Sequence, residues 1–80
     1  MKYVYLLRSE SQPNQSYVGV TSDIEHRFNT HNAGGSTHTS KYRPWKLAAY
    51  IAFADIAKAI AFERYLKTGS GRAFSRKRLM

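Results

Sequence analysis

Eighty residues suffice for one domain, residues 1–80, with a marginal core, because so short a chain buries only about two thirds of the surface it exposes when unfolded. The absence of cysteine excludes disulfides and thiolate zinc sites, and no stretch approaches the ~20 apolar residues of a membrane helix. Thirteen Lys and Arg against five Asp and Glu give a net charge of +8. That balance points to a polyanionic partner, with a solvated face or an acidic protein as the plainer alternatives.

Lys2 to Arg8 reads as a strand. Tyr3, Tyr5 and Leu7 alternate with Val4 and Leu6, so both faces are apolar and both are expected to be covered. The run from Met1 to Leu7 is too short for a signal peptide and has no small-residue cleavage site, which predicts a cytoplasmic protein. Ser9 to Gln15, with Pro13-Asn14 at its centre, reads as a turn, and Ser16 to Val20 as the second strand of a hairpin. Gly19 shares a face with Tyr17, and a glycine inside a strand removes a side chain where something must approach closely. Tyr5 and Tyr17 therefore stand apart from Tyr3, Tyr42, Tyr50 and Tyr65, which read as ordinary strand residues with a wet hydroxyl.

Ser22 with Glu25 forms a capping-box signature for a helix ending near Asn32-Ala33-Gly34. At about 100° per residue, Ile24, Arg27, Phe28 and His31 fall in one arc, the one that should meet the sheet. Arg27 and His31 either sit at the border of that face and reach into water, or wall a polar cleft. His26 and His38 read as surface residues. Gly35 to Pro44 reads as a polar, basic loop carrying Lys41 and Arg43, and Trp45 to Phe53 as the third strand.

Asp55 can cap a second helix running to about Lys67, with Ile56, Ala59, Ile60 and Leu66 on its apolar side. Glu63 falls within that arc. A carboxylate there must pair, coordinate a metal, or take up a proton at a cost, and an ion pair with Arg27 or Lys67 stands level with a metal role. Thr68-Gly69-Ser70-Gly71 lacks the Gly-Lys-Ser/Thr ending of a phosphate loop and reads as a helix stop, followed by a short third helix from Arg72 to Leu79. The order ββαβαα predicts an α+β fold, a small antiparallel sheet with helices packed on it. From Arg64 onward the chain carries Arg64, Lys67, Arg72, Arg76, Lys77 and Arg78 and no acid. Nucleic acid is the partner this favours, over a membrane surface, because no basic helix carries a long aromatic and leucine face. No His or acid spacing reads as a multi-ligand zinc site.

Tyr3-Val4-Tyr5, Tyr17-Val18-Gly19, Arg27-x-x-x-His31 and Glu63 inside a helix follow one another in an order and spacing that resembles the GIY-YIG nuclease superfamily. The resemblance covers essentially the whole chain. It is greatest to the compact, stand-alone bacterial members, which Tyr42-Arg43-Pro44 and the run from Glu63 to Gly69 also resemble. Tyr3 stands where the family name has glycine, and no asparagine follows Asn32, although many family nucleases carry one well after the metal glutamate.

The resemblance implies three antiparallel strands flanked by helices, and hydrolysis of a phosphodiester, usually in DNA, with one divalent metal, Mg²⁺ or Mn²⁺. By position it implies Glu63 as the metal ligand and Arg27 as the group stabilising phosphoryl charge. Tyr5 and Tyr17 would position or deprotonate the attacking water with help from His31, and Gly19 would be structural at the site. One glutamate can suffice for Mg²⁺, which keeps several waters and completes its shell with substrate phosphate. The leading expectation is a metal-dependent DNA endonuclease acting in repair or on irregular DNA, with Lys41, Arg43 and the six basic residues from Arg64 holding the nucleic acid. A non-catalytic nucleic-acid-binding module of the same fold is the second expectation, and an accessory domain recruited by a protein partner the third. With so little chain outside the core, either weak specificity or a protein partner that supplies it is expected.

Overall fold

A computed structural model describes all 80 residues. The elements are β1 (Lys2–Ser9), β2 (Ser16–Thr21), α1 (Ile24–Asn32), α2 (Thr37–Ser40), β3 (Trp45–Phe53), α3 (Ile56–Leu66) and α4 (Gly69–Arg78). The strands form one sheet in the order β2-β1-β3 with both pairs antiparallel, the α+β architecture that the element order predicted. No helix is long and apolar enough to cross a membrane.

β1 is apolar on both faces because it is the central strand and both its faces are covered. Val4, Tyr5, Leu6 and Leu7 are each at most 1% exposed. On one face Val4 and Leu6, with Val18 and Val20 of β2, pack against Ala59, Phe62 and Leu66 of α3 and against Leu79. On the other, Tyr5 and Leu7, with Tyr17, Trp45 and Leu47, pack under Phe28 of α1 and Tyr42. Each large apolar side chain buried in this way contributes about 1.5–3 kcal/mol. A bulge lets β3 serve both layers. Leu6 pairs with Ala49 and Leu7 with Leu47, so Ala48 is the extra residue. The bulge keeps Trp45 and Leu47, before it, on the same side as Tyr50, after it.

Four local expectations are corrected. The cap of α1 is Asp23, whose carboxylate accepts from the His26 amide at 3.1 Å, while Ser22 accepts a hydrogen bond from Lys2 Nζ instead. The polar loop contains a helix, α2, too short to show a periodic pattern. The buried side of α3 is centred on Ala59, Phe62 and Leu66, which leaves Ile56 and Ile60 at its margin, 59% and 37% exposed. The segment read as a helix stop is a helix start: Thr68 Oγ1 accepts from the Gly71 amide at 3.1 Å and caps α4.

Candidate active site

Tyr5 sits mid-strand in β1, opposite Gly19 of β2, on the face covered by α1. A Cβ on Gly19 would lie 2.5 Å from Tyr5 Cζ, so the glycine makes room for the phenol. The Tyr5 hydroxyl is thereby free to reach His31, the last buried residue of α1, and meets its Nε2 at 2.9 Å. The other ring nitrogen, Nδ1, meets Thr39 Oγ1 at 2.8 Å. Thr39 belongs to α2 and is fixed in turn by Trp45, whose Nε1 donates to the Thr39 carbonyl at 2.9 Å. Asn32 ties the end of α1 to β3 through both its amide groups, donating to the Trp45 carbonyl at 3.0 Å and accepting from the Trp45 amide. Tyr17 packs against His31 with ring centroids 4.7 Å apart and the ring planes tilted by 56°, and stays partly open to solvent.

The chain of partners sets the histidine's tautomer. The Thr39 hydroxyl donates to the Ser36 carbonyl over a long 3.4 Å, which leaves its oxygen to accept from His31 Nδ1–H. Nε2 then carries a lone pair and accepts from the Tyr5 hydroxyl. Burial lowers the pKa of His31, and the charge of Arg27 lowers it further, so the imidazole is neutral. Burial raises the pKa of Tyr5, with Arg27 pulling the other way and Tyr17 adding to the rise. Arg27 shares the inward arc of α1, and its Nε is buried without a hydrogen-bond partner. The Tyr5 hydroxyl beside it raises its pKa further and Tyr17 adds to this, while burial opposes both. An orphaned buried donor costs about 1–3 kcal/mol, and a catalytic role, an ion or an ordered water is the usual reason for one.

Tyr5, Tyr17, Gly19, Arg27 and His31 are thus brought together on one face of the sheet. Glu63 is not among them. It lies on α3, in the layer against the opposite face, where its side chain is 14% exposed and pairs with Lys67 of the next turn. No group of three or more His, Cys, Asp or Glu is placed to hold a metal ion, so Glu63 stands as a single carboxylate. Both layers reach the unpaired edge of β2, where Tyr17 and Lys67 line the same groove. Lys41, Arg43, Arg64, Lys67, Arg72, Arg76, Lys77 and Arg78 are all exposed, and only Lys67, Arg72 and Arg76 of these line that groove. Arg8, absent from the sequence expectation, lines it too. Thr39 was also missed. It lies in a polar segment with no period to mark it, and only its burial, 1% exposed, sets it apart.

A family model described as the GIY-YIG catalytic domain matches residues 1–77. The chain belongs to the GIY-YIG family. A UPF0213 protein of Staphylococcus haemolyticus is 36% identical to it over 69 residues, covering 85% of this chain and 82% of that protein. The solution NMR structure of a UPF0213 protein from Bacillus halodurans superposes with a TM-score of 0.57 at 31% identity, covering 95% of this chain and 81% of that one. These two relatives bear out the expected place among compact bacterial GIY-YIG proteins. The structure-specific endonuclease subunit SLX1 of Scheffersomyces stipitis is 37% identical over 67 residues, covering 75% of this chain. This GIY-YIG chain spans about a fifth of the length of the SLX1 subunits it matches.

Proposed function

We propose that this GIY-YIG chain is a divalent-metal-dependent endonuclease that hydrolyses DNA phosphodiester bonds, acting in repair or on irregular DNA. The observation that carries the reading is the buried Tyr5–His31–Thr39 chain laid against Arg27 with its unpartnered Nε. The similarity to subunits named as structure-specific endonucleases supports irregular DNA as the substrate class.

Arg27 is permanently charged and takes the developing negative charge of the phosphoryl oxygens, an electrostatic contribution typically worth about 10²–10³-fold in rate. Tyr5 is closed off from solvent and its hydroxyl is held by His31, so it orients the site and does not itself deprotonate water. Tyr17, partly exposed and packed against the same imidazole, positions the attacking water. His31, neutral and with Nε2 turned to the Tyr5 hydroxyl, is the nearest store for a proton released from it.

Glu63 would hold the metal, Mg²⁺ or Mn²⁺. Its carboxylate is mostly buried and already holds a cation, the Lys67 ammonium, so the donor fits an ion that takes one carboxylate and fills its shell with water and phosphate. Bound there, the metal would act as a Lewis acid on the phosphodiester. The test is nicking of plasmid and branched DNA with Mg²⁺ or Mn²⁺, wild type beside Glu63→Ala and Arg27→Ala. Cleavage by the wild type and its loss in both variants is expected; folded wild-type protein that cuts no DNA with either metal overturns the proposal. Salt-sensitive binding without cleavage would support the non-catalytic module instead.

A further inference from the structure

A groove of about 760 Å³ runs along the free edge of β2. Four cations line it, Arg8, Lys67, Arg72 and Arg76, and no acid does. They come from three separate places in the chain. Arg8 projects from the end of β1 and is held by a hydrogen bond from its Nε to the Pro13 carbonyl at 3.0 Å, which leaves both terminal guanidinium nitrogens outside that bond. Arg72 and Arg76, spaced i and i+4, share one face of α4 and lie about 6 Å apart along its axis. Lys67, just past α3, brings the fourth charge beside Glu63. Tyr17 lines the same groove and carries it to the His31 cluster on the other side of the sheet.

A small phosphate ligand needs cations that converge on a point within an enclosed site. Here they come from three separate places in the chain and line a groove that also takes in Tyr17. Spread cations of this kind suit a polyphosphate backbone, which gains from each contact separately by counterion release. We propose that this groove holds the phosphate backbone of one DNA strand and leads it past Tyr17, and that Arg8 is one of its binding cations. The proposal rests on the nuclease reading only for which end of the groove is the reacting end. It divides the basic residues into two sets. Arg8, Lys67, Arg72 and Arg76 track the strand, whereas Lys41, Arg43, Arg64, Lys77 and Arg78 contribute only to the general positive field.

The groove also explains how Glu63 and the tyrosine cluster could serve one phosphate from opposite faces of the sheet. A strand lying along the β2 edge passes between the two layers, with Tyr17 on one side and the Lys67–Glu63 pair on the other.

The experiment is fluorescence anisotropy with fluorescein-labelled single-stranded and forked DNA, in EDTA so that no cleavage occurs, across a range of KCl concentrations. Arg8→Ala, Arg72→Ala and Arg76→Ala are each expected to weaken binding about five- to tenfold at low salt and to lower the salt slope by about 0.7–0.9. Arg8→Lys should restore the slope, and Lys46→Ala and Lys58→Ala, which remove exposed cations outside the groove, should bind within about twofold of wild type. Circular dichroism confirms that each variant is folded. Wild-type affinity in Arg8→Ala, or an equal loss in every variant whatever its position, overturns the proposal. Strand binding mapped to the groove in a protein that never nicks DNA would sink the nuclease reading and leave this one standing. Nicking by a protein indifferent to Arg8 would do the reverse.

Discussion

His31 is a buried, neutral imidazole with a partner on each nitrogen, and its chemistry depends on which partner it donates to. Thr39 decides that. Thr39→Val keeps the shape and removes the oxygen, leaving Nδ1–H without an acceptor at a cost of about 1–3 kcal/mol and freeing the ring to put its proton on Nε2, against Tyr5. The variant is expected to stay folded, to nick DNA about tenfold more slowly, and to show the other tautomer in ¹⁵N imidazole shifts; Thr39→Ser should restore both. Unchanged tautomer signals would show that Thr39 only fills space. Acid should destabilise the same residue. In the unfolded chain His31 takes up its proton near pH 6.5, whereas in the fold its pKa lies lower, so between those values the unfolded state binds more protons and stability rises with pH. The thermal midpoint of the wild type should therefore fall as pH drops through 6.5 towards 5, and fall less in His31→Gln; equal acid sensitivity in the two proteins would contradict this. Arg27 and His31 were legible in the sequence because each is a polar group at a position that packing would give to an apolar one, and Tyr5 and Tyr17 because Gly19 interrupts the strand on their face. Thr39 was not, because a threonine among Ser36, Thr37 and Ser40 carries no such contradiction.

At the scale of elements, the strands and helices α1 and α3 follow from their periods, and α3 from its cap as well. Asp55 accepts from the amides of Ala57 and Lys58 and starts α3 where the sequence placed it. What escaped was structure imposed by contact between elements. Gly-Ser-Gly after Thr68 has the composition of a break, yet α4 begins there because its first turn must lie directly on the end of α3. A Cβ on Gly71 would come within 2.6 Å of Leu66 Cα and collide with the Tyr65 carbonyl oxygen, so only glycine allows the two helices so near an approach. Gly71→Ala must push backbone against backbone, and overpacking of this kind costs about 1–3 kcal/mol. In a chain of this length each kcal/mol lowers Tm by about 4–8 °C, which a thermal melt will read. Because α4 carries Arg72 and Arg76, the same variant should weaken DNA binding although it removes no charge. Gly69→Ala, where a Cβ meets nothing within 4 Å, is the matched control and should change neither.

On the scale of the whole molecule, periodicity tells which residues share a face of one element but not which face of the sheet that element covers. Glu63 and Arg27 each read as inward-facing, and both are, yet they face inward from opposite layers. The edge position of β2 is what leaves a route between them, and strand order is a property of the assembled sheet alone. Charge is also set at this scale. Thirteen cations and five acids leave a net +8, and only one ion pair, Lys67–Glu63, is formed within the chain. Like charges crowded onto so small a surface oppose the compact state, and salt screens that repulsion, with a Debye length falling from about 30 Å at 0.01 M to about 10 Å at 0.1 M. Little attraction is lost in exchange, since a single exposed pair contributes at most about 1 kcal/mol. Raising NaCl from 10 to 200 mM should therefore raise the thermal midpoint while the affinity for DNA falls steeply over the same range. The two responses have opposite signs because the same charges repel one another in the free protein and release counterions from the bound strand. A midpoint that fell with salt would mean that attractive pairs, and not the excess of like charge, dominate the surface.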